Sequence, residues 1–170
     1  MDELNRKTVD EFRQSAKMPI VVVLDNIRSM HNVGSVFRTC DAFLVEYLFL
    51  CGFTARPPHR DINKTALGST ETVNWKHFYS TLDAAKKLKE EGYTIWGVEQ
   101  VDSSSKLNEL ALEKEEKIAL IFGNEVEGIS NEVLPFCDGF IEIPQMGMKH
   151  SLNVSVAAGI VLWEMVRTKM

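Results

Sequence analysis

The chain is poor in the residue patterns that mark secreted, metal-binding or membrane proteins. It has three cysteines, Cys40, Cys51 and Cys137, odd in number, widely spaced and set in apolar sequence. That spacing speaks against a disulfide framework or a cysteine zinc site, and predicts buried free thiols in a reducing compartment. The four histidines, His31, His59, His77 and His150, show no metal-ligand spacing, so no metal is expected. The charged N-terminus lacks the apolar core of a secretion signal. The apolar stretch 152–166 is too short to span a bilayer and is interrupted by Asn153, Ser155 and Glu164. A cytoplasmic protein without a membrane partner is expected. Positive charge is not in excess either. The formal net charge of −5 argues against wholesale adhesion to nucleic acid, yet leaves room for a local basic face. Repeats, low-complexity tracts and linkers are missing, so residues 1–170 read as one domain.

What is present is an alternation of strand and helix signals. Residues 20–24 form a continuous β-branched run, the mark of a strand buried on both faces. Val33, Val36, Phe37, Cys40 and Leu44 then recur at helical spacing, predicting a core-facing helix that opens near Asn32, a favourable cap. Further strands are expected at 47–51, 93–98, 118–122 and near 141–144. A capping-box helix is expected from Ser80 to Gly92, a surface helix over 3–16, and a helical tendency over the acidic stretch 109–116. Residues 52–72 read as a polar loop. Strands separated by helices predict right-handed crossovers, hence an α/β fold with a mainly parallel sheet flanked by helices.

Three segments carry candidate chemistry. In the first, Gly34 and Arg38 lie four apart on one helix face. A missing side chain at Gly34 would let an anion or sugar approach the backbone beneath the guanidinium. The plainer alternative pairs Arg38 with Asp41. In the second, Gly123-Asn-Glu-Val-Glu-Gly128 follows a strand, where glycine permits ligand contact with main-chain amides. Glu125 could there accept from a hydroxyl or orient an arginine. The alternative is a plain turn into a helix capped by Ser130. The G-x-G-x-x-G fingerprint is absent, which leaves a dinucleotide-binding domain little support. In the third, Pro144 ends a strand, Gly147 bends the chain, and Ser151 and Asn153 stand at a helix mouth as ligands or as simple caps. The helix that follows is apolar on nearly every face, so a second copy of the chain is expected to cover it.

Together, Asn32-Val-Gly-Ser-Val-Phe-Arg-Thr39, Phe122-Gly-Asn-Glu-Val-Glu-Gly-Ile-Ser130, and Ile143-Pro-Gln-Met-Gly with Ser151-Leu-Asn-Val-Ser-Val-Ala157 resemble the SpoU/TrmH-type branch of the SPOUT methyltransferases. The resemblance runs over residues 20–166. It implies a C-terminal trefoil knot within 118–166, a homodimer, and S-adenosylmethionine as methyl donor. The implied reaction is methylation of a ribose 2′-hydroxyl in structured RNA, either transfer RNA or ribosomal RNA. By the same resemblance, Asn32, Arg38, Glu125, Ser151 and Asn153 are catalytic. Glu99, Gly123, Ile143 and Leu152 would hold the donor, with Met146 or Met148 against its adenine. Family precedent makes Arg38 a general base, but a free guanidinium has a pKa of about 12.5 or higher. A phosphate clamp is an equally physical role. Arg28, Arg56, Arg60, Lys64 and Lys149 are expected to meet RNA, with selection falling to the 52–72 loop and the terminal helices. A protein of the same fold that binds RNA without catalysis is the alternative.

Overall fold

The computed structural model describes residues 7–114, 116–149 and 151–170. The chain opens with α1 (Val9–Gln14), fixed by a reciprocal capping box between Thr8 and Glu11. Of the helix expected over 3–16, residues 1–6 lie outside the described residues. β1 (Met18–Asp25) follows, then α2 (Met30–Ala42), β2 (Val45–Cys51), α3 (Arg60–Ala66), β3 (Trp75–Phe78) and α4 (Thr81–Glu90). The second half comprises β4 (Thr94–Val98), β5 (Ser105–Lys106), β6 (Ile118–Phe122), β7 (Gly139–Glu142) and α5 (Val154–Arg167). Among the described residues seven strands form one parallel sheet, in the order β3-β2-β1-β6-β4-β7-β5.

The β-branched run in β1 is buried on both faces because helices cover both. Ile20, Val22 and Leu24 pack with α2 (Val33, Val36, Phe37) and α5 (Ala158, Val161, Leu162). Val21 and Val23 point the other way, into a second core with Ala84, Ala85 and Leu88 of α4. Alternation at a period of two sends successive side chains to opposite layers. The three cysteines are free, and burial pushes the Cys51 thiol up to about 12, which keeps it protonated and unreactive. Among the described residues no helix is long and apolar enough to cross a membrane.

Several local expectations are corrected by tertiary contacts. α2 opens at Met30, two residues before Asn32. Ser29 is its cap and accepts the Asn32 amide at 3.3 Å, so the Asn32 side chain is released for other partners. The 52–72 stretch contains α3, because Ile62 and Ala66 bury against the core beneath α2. β3 has too few residues and too little alternation to stand out in sequence. No α-helix forms over the described part of 109–116. A 3₁₀ turn at Leu107–Glu109 ends there, and the Lys169 ammonium takes the carbonyls of Glu113, Lys114 and Glu116 at 2.9–3.1 Å. Ser130 likewise caps no helix: only a 3₁₀ turn follows, at Leu134–Phe136.

Gly34 has a different purpose from the one its spacing suggested. A Cβ there would lie 2.2 Å from the Ile62 carbonyl oxygen and 2.2 Å from Thr65 Oγ1. The space beneath Arg38 is therefore filled by α3, and glycine serves the close approach of two helices. Gly34→Ala should destabilise the fold by about 1–3 kcal/mol in urea unfolding, since pushing α3 away outweighs a gain of about 1 kcal/mol in helix propensity.

Candidate functional site

A cavity of about 600 Å³ opens at the carboxyl edge of the sheet. It lies where the ends of β4 (Val98, Glu99), β6 (Gly123) and β7 (Ile141, Ile143) meet the mouth of α5 (Ser151, Leu152, Asn153) and Asn32 of α2. Carboxyl ends of parallel strands are where such sheets leave room for ligands, and the volume suits a nucleoside-sized molecule.

The wall after β6 is built around a buried asparagine. Asn124 Oδ1 accepts the amides of Val126 and Glu127 at 2.9 and 3.0 Å, while its Nδ2 donates to the Asn26 carbonyl at 2.6 Å. The Asn124 and Gly128 backbones exchange two hydrogen bonds of 2.9 Å, closing the turn. Glu99 Oε2 accepts the Ile129 amide at 3.1 Å. Gly128 has φ +73°, and a Cβ on it would strike Glu99 Oε1 at 2.5 Å. At Gly123 a Cβ would meet the Gly128 carbonyl carbon at 2.3 Å. That glycine is needed for the turn to fold back on itself, before any question of ligand access. Asn124 went unremarked in sequence, although an asparagine two residues ahead of a free amide is the signal of an Asx turn.

Side chains from all three motifs join across the cavity mouth. Glu125 accepts the amides of Arg28 and Ser29 at 3.1 and 3.3 Å, at the entrance to α2, and the Asn32 side-chain amide at 3.5 Å. Asn153 Nδ2 in turn donates to Asn32 Oδ1 at 3.1 Å. Asn153 is also the cap of α5, its Oδ1 accepting from the Ser155 amide at 2.9 Å and the Ser155 hydroxyl at 2.7 Å. Ser151 lines the cavity without capping the helix. Burial works against ionisation of Glu125, but the Arg28 and Ser29 amides and Asn32 outweigh it and hold the carboxyl below its usual range.

Other expected residues fall elsewhere. Arg38 is exposed on α2 and borders a separate depression with Thr39, Lys64 and Gly159. It has no ion-pair partner among the described residues, and Asp41 accepts instead from Thr72 Oγ1 at 2.5 Å. Met146 is 102% exposed and lies outside the cavity lining, as does Met148, whereas the unremarked Gln145 and Glu142 do line it. Arg28, Arg56 and Arg60 are exposed, with guanidinium groups that find no protein partner among the described residues. Lys64 pairs with Asp61 at 2.6 Å, Lys149 is exposed, and His150 lies outside the described residues. Among the described residues no group of histidine, cysteine, aspartate and glutamate could hold a metal ion.

Because the folded carboxyl of Glu125 titrates below its unfolded value, its bonds stabilise the protein fully above the usual carboxyl range of about 4.3. That contribution is lost as pH falls from there through the depressed folded value. Glu125→Gln should lower the melting temperature at neutral pH and reduce the difference from wild type toward pH 3, read from melting curves at a series of pH values.

Comparison with known proteins agrees with this geometry. The family model described as the SpoU rRNA Methylase family matches residues 19–163. The tRNA (guanosine(18)-2'-O)-methyltransferase of Thermus thermophilus is 33% identical over 168 residues, covering 99% of this chain and 84% of that enzyme. The 23S rRNA (guanosine-2'-O-)-methyltransferase RlmB of Vibrio cholerae is 30% identical over 169 residues, 99% of this chain and 67% of the other. The crystal structure of the Aquifex aeolicus TrmH/SpoU tRNA modifying enzyme superposes with a TM-score of 0.84 at 29% identity, over 95% of this chain and 80% of that one. An AdoMet-bound rRNA methyltransferase from Sinorhizobium meliloti gives 0.82 at 26%, over 95% and 60%. The chain with three motif-bearing loops around one carboxyl-edge cavity belongs to the SpoU rRNA methylase family.

Proposed function

We propose that this chain is an RNA 2′-O-methyltransferase that uses S-adenosylmethionine and acts on structured transfer or ribosomal RNA. The observation that carries the reading is the joining of Glu125, Asn32 and Asn153, one from each distant motif, at the mouth of a single cavity. Relatives named for guanosine-2′-O methylation of tRNA and of 23S rRNA support the substrate class.

The cavity fits the donor. Its floor is made of strand ends and two glycines, its walls carry both apolar side chains (Val98, Ile143, Leu152) and carboxylates, and its volume suits an adenosine with a short tail. Glu99, Gly123, Ile143 and Leu152 would hold it. S-adenosylmethionine, when bound, supplies a methyl group on a sulfonium whose departure leaves a neutral sulfur. The protein is then left with two tasks, alignment and care of a weakly acidic hydroxyl proton. Alignment alone can be worth roughly 7–11 kcal/mol in well-oriented systems. Asn32, held from one side by Asn153 and from the other by Glu125, would orient a ribose hydroxyl. Ser151, exposed and uncapped, offers a second hydroxyl at the same rim.

Arg38 we read as a phosphate clamp. It stands six residues beyond Asn32, about 9 Å along the helix and about 120° around it, and it borders its own depression. A guanidinium so exposed keeps its proton, whereas its paired N–H groups match a phosphate. Arg28, Arg56, Arg60, Lys64 and Lys149 complete the proposed RNA face.

The same reading includes a homodimer, a single domain over 1–170, a trefoil knot within 118–166, and action in the cytoplasm. An exposed apolar stripe on α5, Val156, Ile160 and Trp163 at helical spacing, supports the dimer. The interleaved order of the later strands supports the knot: β6 enters between β1 and β4, and β7 between β4 and β5. Free thiols, two of them (Cys40 and Cys51) buried and Cys137 partly so, suit a reducing compartment.

Titration calorimetry with S-adenosylmethionine, together with methyl transfer to total RNA, tests the reading; a chain that binds no donor refutes it. Arg38→Lys should raise Kd for RNA about tenfold, as expected for loss of one charge-assisted hydrogen bond, with kcat at saturating RNA retained. A fall in kcat at unchanged Kd would make Arg38 a base instead. Trp163→Asp should convert the dimer to monomer in sedimentation, and a wild-type chain that sediments as a monomer rules out the dimer.

A further inference from the structure

Away from the cavity, the same edge of the sheet carries two large aromatic rings in open water. Tyr79, next after β3, is 89% exposed, and Phe53, two residues after β2, is 62% exposed. Their backbones are neighbours. Cys51 pairs in register with Phe78 at the ends of β2 and β3, and the Gly52 amide donates to the Phe78 carbonyl at 3.0 Å. The His77 ring stands edge-on to Tyr79, with centroids 5.3 Å apart, and its Nε2 lies 3.1 Å from the Gly52 carbonyl. Both turns are therefore braced while the rings they carry remain uncovered.

The bracing ties these turns to the cavity side. Asn26 Oδ1 accepts the Phe53 amide at 3.0 Å, and Thr54 Oγ1 accepts the Ile27 amide at 2.9 Å. Gly52 has φ +62°, and a Cβ on it would strike Asn26 Oδ1 at 1.9 Å, so the contact tolerates no larger residue. Asn26 also supplies the carbonyl that Asn124 holds in the cavity wall. Arg28 lies two residues on and Arg56 three beyond Phe53. Both are exposed, with guanidinium groups unpartnered among the described residues.

Exposed rings on two braced turns, with exposed guanidinium groups a few residues along the same turns, match the chemistry of an unstacked nucleobase and its phosphate. Every base offers a π-face, and single-stranded segments are recognised by stacking on aromatic side chains with cations along the backbone. Inside a duplex the bases are already stacked on each other, which leaves only the end pairs a free face for such rings. We infer that Phe53 and Tyr79 form a stacking platform for unpaired bases of the RNA substrate, with Arg28 and Arg56 holding the phosphates beside them. This rests on the RNA-methylating reading of the cavity and adds to it what the enzyme selects: a loop or single-stranded end next to the target nucleotide.

The test compares an RNA stem-loop carrying 2-aminopurine in its loop with a blunt duplex of equal length, using the full chain. Wild type should bind the stem-loop more tightly and quench its fluorescence. Phe53→Leu and Tyr79→Leu should each weaken stem-loop binding on the order of 5- to 150-fold per base unstacked. Duplex affinity, S-adenosylmethionine affinity and the salt dependence should stay as in wild type. Tyr79→Trp, which keeps a stacking face, should retain affinity. Arg56→Glu with Arg60→Glu should instead flatten the slope of log K against log salt. Unchanged stem-loop affinity and quenching in both leucine variants overturns the platform. So does a change confined to self-association in sedimentation, which would assign the rings to a protein contact. A wild type that methylates total RNA yet does not distinguish loop from duplex counts against the platform alone. One that neither methylates RNA nor binds donor overturns the enzymatic reading as well.

Discussion

A carboxylate without access to water sets the geometry on which the cavity depends. Asp25, at the end of β1, is fully buried, and four donors converge on it: the Ser130 amide at 2.7 Å, the Ser130 hydroxyl at 3.0 Å, the Thr81 hydroxyl at 2.5 Å and the Asn26 side chain at 3.1 Å. A buried carboxylate is tolerated only when its oxygens are satisfied this fully. The four donors come from three pieces of structure: the turn after β1, the first turn of α4, and, for both Ser130 groups, the far end of the loop after β6. Satisfying one buried carboxyl group thus pins the loop that carries Glu125 against the start of the chain's first crossover.

From that anchor the site is assembled by polar side chains that hold other polar groups. Asn124 organises its own turn, Glu99 holds the amide that follows it, and Glu125 reaches across to the entrance of α2. Asn32 and Asn153 then close the ring between two helices. A site of this kind is well suited to methyl transfer from a sulfonium. The leaving group needs little electrophilic assistance, so the protein contributes mainly orientation, which rigid, over-determined side chains supply. Arg38 stands apart on α2, exposed and bordering a separate depression.

The layers were legible in the sequence, because burial on two faces leaves a distinct mark. The run 20–24 and the stripe Val33, Val36, Phe37 and Cys40 lie in the core where periodicity places them. The convergence of the motifs was legible too, with Asn32, Glu99, Gly123, Glu125, Ile143, Ser151, Leu152 and Asn153 all bordering one cavity. What misled was local chemistry read without its neighbours. Acidic residues at 109–116 favour a helix in isolation, but the described part of that stretch lends its carbonyls to Lys169. Gly34 looked like room for an anion and proved to be room for a second helix. Phe53 and Tyr79 carried no signal, since a lone aromatic in a sequence reads as core.

By itself the amino-acid order determined the class of fold, the two-sided burial of the sheet and the identity of several polar residues that border the cavity. These follow from periodicity, glycine placement and motif chemistry, which act within a few residues along the chain. Only the tertiary structure decided that β6 and β7 lie between strands that precede them in the chain, that three loops share one opening, and that Arg38 borders a different depression. Those outcomes depend on contacts between residues about a hundred positions apart, such as Glu125 with Arg28 and Asn153 with Asn32. No local pattern encodes them, because the energy that selects them exists only once the sheet has aligned every strand end along one edge.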